Sequence, residues 1–304
     1  MSKGVMISGS VAYDTIMVFD GQFKDHILPE QTHMINVAFL TPRLKREFGG
    51  CAANIAYNLQ ALGGSPVILA AVGRDGADYV ERLRGHGIDC SRIVRLDEHY
   101  TAQAFITTDL ADNQITAFHP GAMSFADQAS ADAQSGTVAW GIVAPNGRDA
   151  MIAHAAAFAR QGIPFIFDPG QGLPMFDGAE LREFIAQARW VAVNDYEAKM
   201  LCDRTGHSLE TLSTSHLDGV VVTLGAQGCD IWVQGRKEHV PGIAATEVID
   251  PTGCGDAFRG ALLYGLERGW PLRRCVALGN RLGAAKIACR GGQNHQVDPA
   301  WTQA

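Results

Sequence analysis

Short apolar runs alternate along the chain with segments in which apolar residues recur at helical spacing. The runs predict strands buried on both faces, and the spacing predicts amphipathic helices. This alternation predicts an α/β fold with a mostly parallel central sheet covered by helices on both faces. The predicted strands are 5–9, 66–73, 93–94, 138–144, 164–167, 190–193 and 220–223, and the predicted helices are 49–62, 75–84, 148–160, 181–188, 196–202, 256–268 and 272–289.

An irregular stretch follows the first predicted strand. Residues 10–14 are predicted as a loop. Residues 15–45 show no regular spacing and carry β-type patches at 16–19 and 33–37. We therefore expect 15–45 to leave the main core.

A hairpin pattern provides a second excursion. Two extended runs, 102–108 and 114–118, flank a polar turn, and 229–233 is a hairpin partner for the strand before it. No linker or internal repeat divides the chain. We predict one domain, 1–304, with a small β-strand lid formed by about 15–45 and 101–119.

The segment 250–260, Asp-Pro-Thr-Gly-Cys-Gly-Asp-Ala-Phe-Arg-Gly, is a glycine-rich turn that runs directly into a predicted helix. The first amides of a helix lack intrahelical acceptors and carry partial positive charge, so they can bind an anion. Gly253 and Gly255 lack a Cβ and let the backbone approach a phosphoryl group. Asp256, in the first turn, could accept the proton of an attacking hydroxyl. In isolation the pattern favours an ordinary helix N-cap.

The whole segment resembles the second signature of the ribokinase-like (PfkB) family of carbohydrate and nucleoside kinases, Asp-[Thr/Pro]-X-Gly-Ala-Gly-Asp. Cys254 stands where the family usually has Ala, and its small side chain should leave the amide available. The resemblance implies that Asp256 is the catalytic base and that the amides of Gly253, Cys254 and Gly255 form the anion hole. It also implies ATP and Mg²⁺ as cofactors, and a lid over the acceptor site.

Two upstream segments imply an acceptor site. Gly49-Gly50-Cys51-Ala52-Ala53-Asn54 resembles the family's first signature, Gly-Gly-X-X-X-Asn, so the glycines would lie against a sugar ring and Asn54 would bond its hydroxyls. Asp14 follows the first strand at its carboxyl end, where ligands of open α/β sheets bind, and by resemblance it would accept bonds from two ribose hydroxyls. The alternatives are a plain glycine turn, an ordinary helical Asn and a solvated loop Asp.

A third match, Asn194-Asp-Tyr-Glu197, resembles the family's Asn-X-X-Glu motif. It implies that Asn194 helps to place the nucleotide phosphate and that Glu197 helps to place Mg²⁺ through water. The alternative is a capping box, in which Asn194 caps a helix and Glu197 returns a bond to it.

A nucleotide loop is implied by Thr223-Leu-Gly225-Ala-Gln-Gly228, which matches the family's Thr-X-Gly-X-X-Gly. The glycines would pass beside the ATP ribose and phosphates. A hairpin turn is the alternative. Asn280, on the last helix, could line the adenine pocket, although a helical Asn is usually just exposed.

Three further side chains are candidates for substrate binding. Gln103 and Phe118 lie on the lid hairpin, where an amide and a ring suit a polar substrate edge and a planar base, but both could be lid packing. Arg148 follows Ala144-Pro145-Asn146-Gly147 and could meet a transferring phosphate, or it could lie exposed at a helix start.

Composition narrows the function classes. In 304 residues, 47% are hydrophobic and 19% charged, and the net charge is −7, which argues against a nucleic acid or an anionic membrane as partner. The seven cysteines are scattered without a Cys-X-X-Cys, which predicts reduced thiols and a cytoplasmic protein. The histidines show no zinc-ligand spacing.

The joint occurrence of these motifs implies ATP-dependent transfer of a phosphoryl group to a primary hydroxyl. The stretches 48–64, 101–109 and 113–123 look most like bacterial adenosine and broad-specificity nucleoside kinases, so a nucleoside 5′-kinase is predicted. Cys51 replaces the Lys of ribokinases, and a ribose or fructose kinase is the alternative. A non-catalytic sugar- or nucleoside-sensing protein would not need Asp256. The glycine-rich segment lacks the third Gly of the dinucleotide-binding motif, which argues against a dehydrogenase. The chain also contains no P-loop motif, which argues against a P-loop kinase. The open lid edges predict a homodimer.

Overall fold

The computed structural model describes residues 3–26, 37–111, 113–134 and 136–303. Thirteen strands lie in this part of the chain. Nine of them form the main sheet and four form a second sheet, called the small sheet below. The strands are β1 Gly4–Ser8, β2 Ala12–Val18, β3 Arg43–Gly49, β4 Pro66–Gly73, β5 Ile93–Leu96, β6 Ala102–Thr108, β7 Gln114–His119, β8 Val138–Val143, β9 Phe165–Phe167, β10 Trp190–Asn194, β11 Gly219–Thr223, β12 Gly228–Val233 and β13 Arg236–Pro241.

Helices cover the main sheet. The two longest, at the end of the chain, pack against the face that also carries the first two helices, and the other four cover the opposite face. The helices are α1 Cys51–Ala61, α2 Ala77–Gly85, α3 Arg148–Arg160, α4 Gly178–Gln187, α5 Asp195–Thr205, α6 Leu209–Ser213, α7 Cys254–Glu267 and α8 Leu272–Ile287, with 3₁₀ segments Phe23–Asp25, Gly121–Gln128, Gly170–Met175, Gly225–Gln227 and Pro299–Thr302.

The main sheet has the strand order β13-β12-β11-β10-β9-β8-β1-β4-β5. All neighbours from β11 to β5 are parallel, and β12 and β13 are antiparallel at one end. Successive residues of a strand point to opposite faces, and accordingly Val5 and Ile7 belong to the core under α1, α7 and α8, whereas Met6 belongs to the core under α3, α4 and α5. The predicted parallel sheet with two covered faces is confirmed.

The small sheet has the strand order β3-β2-β6-β7. The predicted hairpin is present as β6 and β7, which pair antiparallel from Gln103↔His119 to Thr108↔Gln114. The loop prediction for 10–14 is wrong in its second half, because β2 begins at Ala12 and pairs with both β3 and β6. The patch predicted at 33–37 lies almost entirely outside the described residues.

Two strands were not predicted at all, β3 and β13. Both carry runs of charged residues, Arg-Leu-Lys-Arg-Glu in β3 and Arg-Lys-Glu-His in β13, and both lie at the edge of their sheet. Charged side chains are a common protection of edge strands, and they remove the apolar alternation from which a strand is recognised.

Two further findings concern the whole described chain. No helix there is long and apolar enough to cross a bilayer. All seven cysteines are free thiols, and Cys90, Cys229 and Cys275 are buried.

Candidate active site

A cavity of about 580 Å³ lies at the carboxyl ends of the central parallel strands, beneath the small sheet. Side chains and backbone from both sheets and from the starts of α1 and α7 enclose it. They are Ser10, Ala12, Asp14, Gly50, Cys51, Asn54, Ala104, Phe118, Met123, Pro145, Asn146, Gln171, Gly172, Met175, Thr252, Gly253, Gly255 and Asp256.

The turn at the start of α7 has the geometry that the glycines allow. Gly253 is the N-cap of α7 in the left-handed region, with φ of 79°, and a Cβ there would lie 3.2 Å from the Cα of Gly292. The Cys254 amide donates to the Pro251 carbonyl oxygen over 3.2 Å. Among the described residues no acceptor pairs with the Gly253 or Gly255 amide, so these two amides are left to face an anion.

Asp256 lies in the first turn of α7 and faces the cavity. Its Oδ2 accepts a hydrogen bond of 2.9 Å from Asn54 Nδ2. Burial raises the pKa of Asp256 to about 6, and the charge of Asp168 adds to the rise, while Asn54 and Arg259 act against it. A carboxylate with this pKa is ionised at neutral pH and is basic enough to share a proton with a hydroxyl.

Asn54 is held in place from the other side. It lies in α1 and is 3% exposed, and its Oδ1 accepts a 3.0 Å bond from Gln293 Nε2. Gly50, the N-cap of α1, has φ of 90°, and a Cβ there would lie 2.6 Å from the Ser10 carbonyl oxygen. The glycine is therefore required for the close approach of α1 to the first loop.

Asp14 lies on the cavity face of the small sheet, beside Gly49. The register pairs Asp14 with Ala104 of β6, and Ala104 with Phe118 of β7, so these side chains share one face. Burial raises the pKa of Asp14 to about 6, and the carboxylates of Asp250 and Glu47 add to this.

A buried ion pair lies under the anion-binding turn. Arg259, one helical turn after Asp256, donates from Nε and Nη2 to the carboxylate of Asp168 over 3.1 and 3.0 Å. Its Nη2 also donates to the Ala192 carbonyl oxygen over 3.2 Å. Burial raises the pKa of Asp168, although Arg259 acts to lower it. These contacts tie α7 to the loop that follows β9 and to β10 itself.

Three of the predicted substrate residues, Gly49, Gln103 and Arg148, do not line the cavity. Gly49 lies behind Asp14, and a Cβ on it would meet the Asp14 carboxylate. Gln103 is paired with Tyr13 and His119 in the small sheet, one residue out of phase with Asp14 and Phe118, so its side chain points to the other face. Its amide donates to Thr15 Oγ1 instead. Arg148 forms an ion pair with Glu180 at the start of α4.

Cavity residues that the motifs did not identify come mainly from loops. Asn146 is 3% exposed, and its Nδ2 has no partner within the described residues. Gln171 follows β9, and Met123 and Met175 lie in 3₁₀ segments. The position of Asn146 and Gln171 just after the predicted strands 138–144 and 164–167 was the available signal, because ligands bind at that edge of an α/β sheet.

Asn194 and Glu197 form the capping box of α5 that was the alternative to a metal role. Asn194 Oδ1 accepts from the Glu197 amide over 2.7 Å, and Glu197 Oε2 accepts from the Asn194 amide over 2.9 Å. Burial raises the pKa of Glu197. Within the described residues no group of three or more His, Cys, Asp or Glu side chains could hold a metal.

The remaining nucleotide-site candidates lie outside this cavity. Thr223 ends β11, Gly225 begins the 3₁₀ turn with φ of 57°, and Gly228 begins β12 with φ of 104°. The alternative interpretation of this segment, a hairpin turn, is therefore present in the structure, where β11 and β12 pair antiparallel. Asn280 Nδ2 donates to the Pro241 carbonyl oxygen over 3.0 Å, so it links α8 to β13.

Comparisons with known proteins extend over nearly the whole chain. The model of the pfkB family carbohydrate kinases matches residues 13–299. The Burkholderia thailandensis nucleoside kinase in complex with inosine is 46% identical, with a TM-score of 0.87 over 97% of this chain and 94% of that one. The Methanocaldococcus jannaschii nucleoside kinase, an archaeal member of the ribokinase family, superposes with a TM-score of 0.88 at 25% identity over 99% and 97% of the two chains.

By sequence alone, a nucleoside kinase of Methanocaldococcus jannaschii is 28% identical over 268 residues, which are 88% of this chain and 87% of that one. The two structural likenesses confirm the ribokinase-like α/β fold that the alternation of strands and helices, together with the signature at 250–260, predicted.

Proposed function

We propose that this chain, which belongs to the pfkB family of carbohydrate kinases, is an ATP-dependent nucleoside kinase. The observation that carries the proposal is the composition of one cavity. Asp256 and the free amides at the start of α7 lie in the same space as Phe118, Met123 and Met175. The first group suits phosphoryl transfer to a hydroxyl, and the second suits a planar base.

The nucleoside binds with its 5′-hydroxyl against Asp256. Asp14 accepts bonds from the ribose hydroxyls, and Asn54 and the Asn146 amide donate to the sugar. The 5′-oxygen attacks the γ-phosphorus of ATP as Asp256 takes its proton, and the bond from that phosphorus to the bridging oxygen of ADP breaks. The Gly253 and Gly255 amides hold the negative charge on the transferred group.

Mg²⁺ fits this site as an ion that arrives with ATP. The described residues offer no all-protein metal cage, and Mg²⁺ usually takes one or two carboxylates together with substrate phosphates. One oxygen of Glu197 is engaged in the capping box, so its second oxygen would hold a water of the metal. When bound, the ion neutralises the charge of the β- and γ-phosphates. Asn194, Thr223, Gly225, Gly228 and Asn280 are proposed for the nucleotide half of the site.

The small sheet acts as a lid over the acceptor. It contributes Asp14, Ala104 and Phe118 to the cavity from strands that leave the main core. We place this within a single domain, 1–304, because the core under α1 also includes Tyr13 of β2. Closure of this sheet would exclude water from the transferring phosphoryl group.

A panel of acceptors tests the proposal. Purified protein is incubated with Mg·ATP and adenosine, inosine, guanosine, cytidine, ribose or fructose, and ADP formation is followed for each. We expect turnover of at least one purine nucleoside and at most slow turnover of the free sugars, because the sugars cannot contact Phe118 or the methionines. Turnover of ribose or fructose alone would establish the sugar-kinase alternative and overturn the nucleoside assignment.

We further propose a homodimer through the outer face of the small sheet. This face is opposite the cavity and presents Leu44, Phe105 and Ile115, which are 67%, 40% and 44% exposed. Apolar side chains grouped at an open sheet favour association. Sedimentation is expected to show a dimer at micromolar concentration, and Phe105→Glu is expected to shift it to monomer. A wild-type chain that sediments only as monomer would contradict the dimer.

The free thiols support a reducing compartment. None of the seven cysteines is in a disulfide, as is usual in cytosolic proteins. We propose the cytoplasm as the location of the enzyme.

A further inference from the structure

Lys286 is a buried cation that the proposed reaction does not use. It lies in the last turn of α8 and is 0% exposed, whereas every other lysine of the chain is exposed. Its Nζ donates to the Asp250 carbonyl oxygen over 2.8 Å and to the Cys289 carbonyl oxygen over 2.9 Å. Burying an ammonium group is costly unless its hydrogen bonds are specific, so these contacts call for a function.

The contacts of Lys286 converge on the start of the anion-binding turn. Asp250 is the first residue of that turn, and its amide donates to the Ile287 carbonyl oxygen over 3.0 Å. Its carboxylate accepts from the Thr252 and Gly291 amides over 2.9 and 2.8 Å. The end of α8 and the segment after it therefore hold Asp250 through its amide, its carbonyl and its side chain. The Lys286 ammonium connects the turn at Asp250 with the segment that follows α8.

The charge of Lys286 also reaches the turn. Burial alone would raise the pKa of Asp250, but the Gly291 and Thr252 amides and the Lys286 ammonium together lower it. Burial raises the pKa of the Cys254 thiol at the start of α7, and Lys286 acts against this rise. The ammonium thus places positive charge behind a turn that must receive an anion.

We infer that Lys286 is a positioning residue that fixes the turn Asp250–Gly253, and with it the amides at the start of α7 and Asp256, in the geometry for phosphoryl transfer. The inference rests on the nucleoside kinase activity proposed above. A reacting group displaced by about 1 Å can lose on the order of 10²-fold in rate. Removal of the ammonium should therefore lower kcat strongly in a protein that still folds.

The alternative is that Lys286 only closes the C-terminus of its own helix, since Cys289 is three residues downstream. That role would affect the stability of the whole core and would not respond to a cation from solution. Lys286→Ala leaves a space bordered by the Asp250 and Cys289 carbonyl oxygens, which an ammonium ion can enter. Lys286→Met fills the same space with an uncharged side chain.

The experiment measures kcat of wild type, Lys286→Ala, Lys286→Met and the exposed-helix control Lys199→Met with Mg·ATP and the best nucleoside. Ammonium chloride is titrated at constant ionic strength against tetramethylammonium chloride, which is too large for the space. We expect kcat of both Lys286 variants to fall by about 10-fold or more, on the order of 10²-fold if the turn moves by 1 Å. Ammonium should restore kcat in a saturable way in Lys286→Ala only, beyond any effect on wild type.

Hydrogen exchange of the unliganded protein provides a readout that does not depend on turnover. In Lys286→Met, the hydrogen-bonded amides of Asp250, Thr252 and Cys254 should exchange faster than in wild type, while those of β11 should not change. An unchanged kcat in Lys286→Ala would overturn the inference. So would equal acceleration of exchange in β11, or failure of both variants to fold with and without ammonium. If wild type phosphorylates no nucleoside, the proposed function fails, and exchange still decides whether Lys286 fixes the turn.

Discussion

Asp256→Asn is expected to lower kcat by about 10²–10⁴-fold, because an amide cannot accept the proton of the attacking hydroxyl. The substitution keeps the size of the side chain and an oxygen that can accept the bond from Asn54 Nδ2. The affinities for nucleoside and ATP should therefore change little. Steady-state kinetics with Mg·ATP and the best nucleoside, together with calorimetric titration of ATP, separate the two effects.

The pH profile identifies the base more specifically. Burial, with the charge of Asp168, raises the pKa of Asp256 to about 6, and the base acts only when ionised. Activity should therefore fall as the pH drops through about 6. Asp14 titrates in the same range, so the fall of kcat/KM at acid pH reflects protonation of both carboxyl groups. The pH profile of the residual activity of Asp256→Asn should therefore show one ionisation where the wild type shows two.

Stability distinguishes lost chemistry from lost folding. The pKa of Asp256 is higher in the folded chain than its ordinary value of 3.8, so ionisation costs the folded state more than the unfolded state. This cost appears as the pH rises above 3.8 and is complete above about 6. Asp256→Asn removes it, and its Tm at pH 7 should equal or exceed that of wild type.

The matched control for this prediction is Asp78→Asn, which changes an exposed carboxylate in the first turn of α2. It should leave kcat and the pH profile unaltered. Near-normal turnover of Asp256→Asn would exclude Asp256 as the base. A large fall in its Tm would attribute the lost activity to the fold.

Elements whose structure comes from their own hydrophobic pattern were predicted from the sequence, and elements whose structure comes from pairing with a distant strand were not. The central strands of the main sheet are buried on both faces, so runs such as Pro66–Gly73 are apolar throughout, and this strand was predicted with its correct bounds. β3 is exposed along most of its length and begins with charged residues, so its pattern resembles a loop. Its strand conformation comes from pairing with β2, which no local pattern shows.

The same distinction applies to the site. Asp256, Gly253 and Asn54 belong to local motifs in which chain geometry and chemistry coincide, and the structure brings all three to one cavity. Asn146 is a single polar residue in a loop and Gln171 is one in a short 3₁₀ segment, and only the sheet topology brings them to that cavity. Whether Gln103 faced the cavity depended on a one-residue register that the sequence of β6 alone leaves open.

Contacts between residues that are far apart in the sequence were the hardest to predict. Arg259 was noted only as part of the segment 250–260, and its partner Asp168 lies 91 residues away. Lys286 falls in a helix whose pattern gives no reason to bury it. Each cation has a partner distant in sequence, Asp168 for Arg259 and the Asp250 carbonyl oxygen for Lys286, which comes into reach only when the core has formed. The energetics of these contacts therefore have to be tested on the folded chain.

The buried ion pair gives the largest expected effect on stability. Asp168→Ala should lower the free energy of unfolding by about 3–5 kcal/mol, because it leaves the Arg259 guanidinium buried without a counter-charge. Both side chains are only 6% exposed, so water cannot replace the lost partner. Urea unfolding followed by circular dichroism measures the change.

A double-mutant cycle isolates the pair. Arg259→Met should also destabilise strongly, because Asp168 loses its partner and the Ala192 carbonyl oxygen loses its donor. In the double variant neither charge of this pair is left buried without its partner, so its loss should be clearly smaller than the sum of the two single losses. Additive losses would mean that the two side chains stabilise the fold independently.

The exposed pair Arg189–Asp218 provides a matched control, because it has the same two-bond geometry at 3.1 and 2.7 Å with side chains that are 51% and 37% exposed. Asp218→Ala should lower the free energy of unfolding by about 0–1 kcal/mol, and equal losses at the two pairs would show that burial does not set the energy.

The buried pair should also affect the pH dependence of the reaction. Asp168 raises the pKa of Asp256 and Arg259 lowers it, so in Asp168→Ala the acid limb should move to lower pH. A loss of stability alone would not move that limb, so its displacement would link the pair under α7 to the chemistry above it.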